Sequence, residues 1–303
     1  MEQPTLAIFA NFFIDNNERF QRLKDSFYSF KDIEPNEWVI NIRGNLKNQV
    51  GRFLKEELGD KVKIFYLHGR GGWMVDSRII SNQITSNYVL FWIEDHILMA
   101  KPTILNSCII EMKKFNVDQL HYSWFYPNFI PGYDLIKPHN VGNYITVKKL
   151  DFDTCHKLRY HSKLVNGFYT VGAQSVMCEK FFKKILFSSK PYLKRSPRKT
   201  PFDFEKKYED KIIPVIWNAL PNQELFAAID DDHSTPNYSL ISRGLYPNRL
   251  SREDMKIKDF SNFIKIKKKF KKSIPRMLRK PTISILYFIA RVYYTLNFFI
   301  NNR

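Results

Sequence analysis

Short apolar runs of strand character alternate with amphipathic stretches through about the first hundred residues, and this alternation is the strongest constraint on the fold. Leu6–Phe9 reads as a buried strand and Asn11–Asp15 as a loop. Asn16–Phe27 follows as a helix entered through an Asn or Asp cap, with Phe20, Leu23 and Phe27 on one face. Trp38–Ile42 reads as a second strand ending at Arg43-Gly44, and Asn48–Leu58 as a helix with Val50, Phe53, Leu54 and Leu58 inward. Val62–Leu67, a Gly-rich loop over Gly69–Gly72, a helix over Val75–Thr85 and a fourth strand over Tyr88–Ile93 complete the series. Strands and helices in this order predict right-handed crossovers and a mainly parallel α/β sheet with helices on both faces.

Beyond that point the alternation loosens. Lys101–Phe115 and Ala173–Leu186 read as helices, with strands and loops in the aromatic, Pro- and Gly-containing run His121–Tyr133. Lys190–Pro201, with five basic residues and three prolines, reads as a loop. Glu205–Trp217 reads as helical up to Pro214, and Leu225–Ile229 as a short strand ending at Asp230-Asp-Asp-His233. With 303 residues, 44% of them hydrophobic and 16% aromatic, the chain can bury a sizeable core and is not a disordered polymer. Cys108, Cys155 and Cys178 are too few and scattered for a disulfide framework or a cysteine zinc site. They are expected to be reduced core residues, and the N-terminus lacks the basic-then-apolar pattern of a secretory leader. Both point to the cytoplasm.

The segment Tyr88-Val-Leu-Phe-Trp-Ile-Glu-Asp-His-Ile-Leu98 carries the clearest chemical signal. A buried strand ends in Glu94-Asp95-His96, and ligand sites of α/β sheets lie at the carboxyl ends of parallel strands. Carboxylate oxygens there are the hard ligands that Mg²⁺ or Mn²⁺ prefers when it carries a diphosphate. Standing alone, the same pair would read as a solvated acidic turn.

In this order of pieces the chain resembles the family 2-type inverting glycosyltransferases of bacterial polysaccharide and lipooligosaccharide type. Their catalytic domain has the GT-A fold, a Rossmann-type sheet. The resemblance covers roughly residues 5–240. The opening strand and the Asn11 loop sit where that family binds its nucleotide. Gly71-Gly72-Trp-Met-Val-Asp-Ser-Arg78-Ile-Ile-Ser-Asn82 is similar to the family's glycine-rich turn and Ala-Arg-Asn-type helix. Tyr88–Leu98 is similar to the strand carrying its metal-binding Asp-x-Asp. Two departures stand out: Ile42-Arg43 replaces the acidic residues that usually follow the second strand, and Ile93 falls on the first Asp of the motif.

The resemblance implies a nucleotide-sugar donor, and Mg²⁺ or Mn²⁺ on Asp95 with Glu94 in support. It places Asn11, Arg43 and Arg78 at the nucleotide. An inverting transfer also needs a general base for the acceptor hydroxyl. Asp203 is the first choice, in Thr200-Pro-Phe-Asp-Phe-Glu-Lys, with Glu205 the second and Glu224 a rival. Asp203 also reads as a helix N-cap. His233 falls where related enzymes often place a histidine near the diphosphate, and Arg243 reads either as a phosphate ligand on a closing loop or as a surface arginine.

The net charge of +18 is uneven: residues 263–303 hold eleven Lys or Arg and no acid, leaving +7 on the preceding 262 (18 − 11 = 7). The basic cluster Lys265–Lys280 precedes an aromatic, apolar run, Thr282–Ile300, interrupted by Arg291 and Asn297. That composition favours a helix lying in the interface of an anionic bilayer, with a true span and a helix packed on the body or a partner as the other readings. The expected organisation is a catalytic domain over 1–262, with its nucleotide-sugar half near 1–100 and its acceptor half near 101–262, and an amphipathic tail over 263–303. The expected activity is sugar transfer to a glycan or lipid-linked acceptor in cell-surface polysaccharide synthesis, peripheral on the inner face of the plasma membrane. The alternative is a non-catalytic scaffold that binds nucleic acid or membrane through its basic surface. Charge concentrated in a lipid-compatible tail argues against nucleic acid as the partner.

Overall fold

The computed structural model describes residues 3–67, 72–123, 136–155, 171–188, 204, 215–230 and 238–248. Asp203, Glu205, His233 and the 263–303 tail lie outside them. Contacts divide the chain into two units, Met1–Arg249 and Leu250–Arg303, and the second is outside the described residues.

The first half is the expected β/α series: β1 (Leu6–Phe13), α1 (Asn17–Phe30), β2 (Glu37–Arg43), α2 (Lys47–Leu58), β3 (Val62–Phe65), α3 (Trp73–Ser81) and β4 (Tyr88–Phe91). It continues with β5 (His96–Leu98), α4 (Pro102–Lys114), β6 (Gln119–His121), β7 (Asn140–Val141), β8 (Ile145–Leu150), β9 (Ser175–Cys178), α5 (Glu179–Ser188), β10 (Ile216–Pro221) and β11 (Phe226–Ala228). Among the described residues nine strands form one sheet in the order β3-β2-β1-β4-β9-β6-β10-β8-β7, and β11 pairs with β5 in a separate ribbon. Seven of the nine point the same way, only β8 and β9 being reversed. The sheet is therefore mainly parallel, as the alternation predicts.

Both faces of β1 are buried. Leu6, Ile8, Ala10 and Phe12 of β1 face α1, α2 and α4, in one core with Leu23, Phe27, Val50, Leu54, Leu105 and Met112. Ala7 and Phe9 face α3 and α5, with Trp73, Ile80, Phe182 and Ile185. Burial on both sides is what makes parallel strands read as continuous apolar runs. The α1 start matches its sequence signal: the Asn16 side chain accepts from Arg19 N at 2.9 Å.

Three expectations are revised. Asn11–Phe13 is not a loop but the end of β1, because pairing with β2 continues through Phe13↔Arg43. The stretch Ala173–Leu186 holds a strand before its helix. Ser175–Cys178 is wedged antiparallel between β4 and β6, and a short apolar run buried on both faces has no periodicity to distinguish it from a helix. The third helix runs over Trp73–Ser81 rather than Val75–Thr85.

Buried carboxylates lock both ends of the sheet, Glu37 at the amino-terminal end and Glu111 at the carboxyl end. Glu37 Oε1 accepts from Thr85 N at 2.8 Å, Thr85 Oγ1 at 3.1 Å, and Ser86 N and Oγ at 2.8 Å each. Lys63 Nζ donates to Glu37 Oε2 at 3.2 Å. One side chain at the start of β2 thus ties β3 and the turn into β4. Glu111 of α4 likewise receives Asn143 N, Tyr144 N and Ile145 N at 2.8–3.0 Å, fixing the β7–β8 turn to the helix. Burial pushes the Glu37 carboxyl up, but its donors outweigh that and hold it below the ordinary carboxylate range. A lowered folded-state value gives stability that is present above the unfolded value and lost as pH falls through the folded one. Glu37→Gln should cost about 1–3 kcal/mol at neutral pH. In urea unfolding the gap to wild type should narrow on acidification; a gap that stays constant into the acid range contradicts the clamp.

Candidate active site

β1 pairs with β4 over Leu6–Phe9 but with β2 as far as Phe13. Past Phe9 the two inner strands separate at their carboxyl ends, at the point where the order β3-β2-β1 reverses to β4. Open α/β sheets place their ligand crevice at such a switch point.

Asn11 lies on the part of β1 that runs past its pairing with β4, and its side-chain amide is fully used. Its Nδ2 donates to Trp73 O at 3.1 Å and to Ser77 Oγ at 2.8 Å, while Trp73 Nε1 donates back to Asn11 O at 3.1 Å. Its Oδ1 accepts from Asn41 Nδ2 at 2.9 Å and Arg43 Nε at 3.1 Å. Asn41 Oδ1 in turn takes Leu67 N at 2.8 Å, so an amide relay crosses the ends of β1, β2 and β3. Arg43 closes β2. Burial lowers its guanidinium to about 10, offset by the charges of Asp76 and Glu94, so it stays cationic at neutral pH. The next residue must be glycine: Gly44 has φ +97°, and a Cβ there would stand 2.2 Å from Ile14 O.

On the other side of the crevice the acidic turn is anchored by Trp92, sunk among Phe12, Phe27, Phe30 and Trp38 with ring centroids 4.8–6.2 Å away. Trp92 Nε1 donates to Ser26 Oγ at 2.9 Å, and Trp92 N to Phe9 O at 2.8 Å. From this anchor Glu94 turns to Arg19, whose Nη1 is 3.9 Å from its Oε1 and donates to Phe13 O at 2.9 Å. Asp95 turns inward and is 4% exposed, its Oδ1 2.8 Å from His96 Nδ1. The buried Tyr122 hydroxyl donates to Phe91 O at 2.6 Å; burial, then the nearby Asp95 charge, pushes that phenol well above its usual range. Ile229 N donates to Asp95 O at 2.7 Å, so the strand leading into Asp230 arrives beside the acidic turn.

The expected residues therefore divide. Asn11, Arg43, Glu94 and Asp95 gather around the switch point. Arg78 braces α3 to α5, with its Nε donating to Leu186 O at 2.9 Å and its guanidinium 5.8 Å from the Phe187 ring. Glu224 and Arg243, read in separate roles, are each other's partners in a two-point ion pair at 2.6 and 3.1 Å. Asp203, Glu205 and His233 lie outside the described residues. Phe204 is described, buried against Phe91, Phe182 and Trp73 with centroids 5.4–6.3 Å apart. Missed from the sequence were Asp76, Arg19 and Arg22; the arginines were hidden because an amphipathic helix is read by its apolar face.

The carboxylates of Glu94 and Asp95 suit a hard cation chemically. Among the described residues no three Asp, Glu, His or Cys side chains form a group able to hold a metal alone. A cation here fits the mode Mg²⁺ favours, one or two carboxylates with phosphate oxygens completing the shell. Among the described residues no helix is long and apolar enough to cross a membrane.

No protein-family model matches the chain, and neither does any curated protein. Among solved structures it is similar to the mannosyltransferase PcManGT from Pyrobaculum calidifontis in complex with GDP-Man and Mn²⁺, at TM-score 0.32 and 13% identity, covering 39% of this chain and 35% of that one. S. aureus TarS 1–349 in complex with UDP matches at TM-score 0.42 and 11% identity, over 74% of this chain and 60% of that one. S. aureus TarS matches at TM-score 0.44 and 11% identity, over 74% of this chain and 36% of that one. The chain spans between 35% and 60% of the length of these structures.

Proposed function

We propose that the chain is a glycosyltransferase moving a sugar from a nucleotide-sugar donor to a glycan or lipid-linked acceptor, with inversion. The observation that carries this reading is the meeting of Arg43, Glu94 and Asp95 at the carboxyl ends of β2 and β4, beside the switch point. The Arg43 guanidinium feels the charge of Glu94 there, next to the crevice expected at a switch point. Such a crevice suits a diphosphate together with its counter-cation. Asn11 shapes the floor under the nucleotide, and Arg43 supplies positive charge to it. Asp95, with Glu94 and His233, would hold Mg²⁺ or Mn²⁺, which when bound would neutralise charge on the departing diphosphate.

The base is proposed as Asp203, with Glu205 next. Their neighbour Phe204 packs on Trp73 and Phe91, at the crevice end of α3 and β4. The carboxylate takes the acceptor hydroxyl proton as that oxygen bonds to the anomeric carbon. The bond from that carbon to the diphosphate oxygen breaks, and the nucleoside diphosphate leaves with the electron pair. Glu224 is less suited, because its carboxylate is already spent on Arg243. We place the activity in cell-surface polysaccharide synthesis, at the inner face of the plasma membrane, with 263–303 as the anchor.

A screen of UDP-, GDP-, CMP- and dTDP-sugars for hydrolysis or transfer tests the class directly; no turnover and no binding of any donor contradicts it. Asp95→Asn should cut turnover by orders of magnitude in a folded protein, and excess EDTA should do the same to wild type. Asp203→Asn should abolish transfer with donor affinity kept, whereas a simple N-cap would lose about 1 kcal/mol of stability and stay active. A dead Glu224→Gln beside an active Asp203→Asn would reassign the base. Removing 263–303 should abolish co-sedimentation with anionic vesicles, and equal sedimentation without the tail contradicts the anchor.

A further inference from the structure

Helices α3 and α5 lie side by side on one face of the sheet. Arg78 Nε donates to Leu186 O at 2.9 Å, and Lys183 Nζ donates to Ile84 O at 3.4 Å. The apolar side of α5 is used up by the core beneath it, through Phe181, Phe182, Ile185 and Leu186. Its other side carries Lys180, Lys184 and Phe187, four and three residues apart and all exposed. On α3 the exposed position is Ile79.

Ile79 and Phe187 are each 50% exposed, large apolar side chains left in water by the fold. One such residue alone is ordinary on a protein surface. These two share a cationic setting. Arg78, next to Ile79 in the chain, holds its guanidinium 5.8 Å from the Phe187 ring, and Lys180, Lys183 and Lys184 stand on the same helix as that ring. The acids nearby are already engaged. Glu179 pairs with Lys183, and Asp76 of α3 is buried. Asp118, whose charge reaches Lys184, is half-buried and accepts from Trp217 N at 2.8 Å.

Cations around exposed apolar side chains suit the interface of an anionic bilayer. The basic groups meet the headgroups while the apolar ones enter the acyl boundary. A soluble polyanion would engage the lysines and leave Ile79 and Phe187 in water. The apolar pair therefore favours lipid.

We propose that the outer surface of α3 and α5 is a contact surface for an anionic lipid bilayer, made by Ile79, Lys180, Lys184 and Phe187. It is separate from any contact made by residues 263–303 and does not depend on the donor chemistry proposed above.

The test uses the full chain and vesicles of phosphatidylglycerol and phosphatidylcholine. Three variants, I79C, F187C and I110C, each carry a nitroxide label. Ile110 is the control: it is 49% exposed on α4, whose Leu105 and Met112 pack on the opposite face of the sheet. Of the native cysteines, Cys108 and Cys155 are buried, and burial pushes the Cys178 thiol up to about 11, so the introduced thiols label first. On vesicle binding the labels at 79 and 187 should become more accessible to oxygen and less accessible to a water-soluble nickel chelate. The label at 110 should stay aqueous. K180Q/K184Q should keep its melting temperature and lose about 30-fold in vesicle partitioning, about 5-fold per lysine.

Vesicle-bound protein with the labels at 79 and 187 still in water overturns the proposal, and that is the result expected if the tail binds alone. Immersion of the label at 110 instead assigns the bilayer to the α4 face and overturns it too. So does wild-type protein that does not bind these vesicles. A K180Q/K184Q variant that loses heparin binding but keeps vesicle binding reassigns the surface to a soluble polyanion. If that variant does not fold, the labels decide.

Discussion

The site depends on β1 outrunning its partnership with β4. Four residues pair on that side, Leu6–Phe9, while the β2 side stays paired to Phe13. The extra length leaves an open flank at the carboxyl end of an otherwise fully buried strand. A polar residue can be accommodated there only if all its groups find partners. Asn11 meets that condition through Trp73 and Ser77 on α3 and through Asn41 and Arg43 on β2. Its side-chain amide fastens β1 and β2 to the helix layer that holds α3. The same bond network delivers Arg43 to the crevice.

The opposite wall is built from α1. Its apolar side packs Leu23, Phe27 and Phe30 into the core, and its polar flank holds the acidic turn. Trp92 joins the two roles, its ring in the aromatic cluster and its indole N–H on Ser26. The turn that bears Glu94 and Asp95 is therefore held from below by packing and from the side by hydrogen bonds. So constrained a turn holds both carboxylates in fixed positions, Glu94 toward Arg19 and Asp95 toward His96.

The half of the fold that was legible is the half with long periodic elements. Phe20, Leu23 and Phe27 gave α1 its place, and Asn16 gave its start. Continuous apolar runs gave β1 to β4, since both faces of that sheet are covered. The second half was less readable because its strands are short and drawn from distant segments. Ser175–Cys178 looks helical in isolation and becomes a strand only because β4 and β6 both offer it an edge. The site divided the same way. Glu94 and Asp95 were visible as an acidic break after an apolar strand. Arg22 was not, because a buried arginine has no local signature. Only the 3-4-3 spacing of Arg19, Arg22, Ser26 and Ser29 hinted at it, and that pattern gains meaning once its partners are known, Glu94 for Arg19 and Asp230 for Arg22.

The most direct test of a nucleotide-sugar crevice at the β1–β4 switch point is amide hydrogen exchange with and without UDP or GDP plus MnCl₂. New protection is expected at the carboxyl ends of β1 and β2, across residues 92–98 and at residues 226–230. No change is expected around Glu37, Thr85 and Ser86, at the opposite end of the same strands. Protection centred on the β7–β8 hairpin or on the Glu37 clamp, with residues 92–98 unaffected, would contradict it.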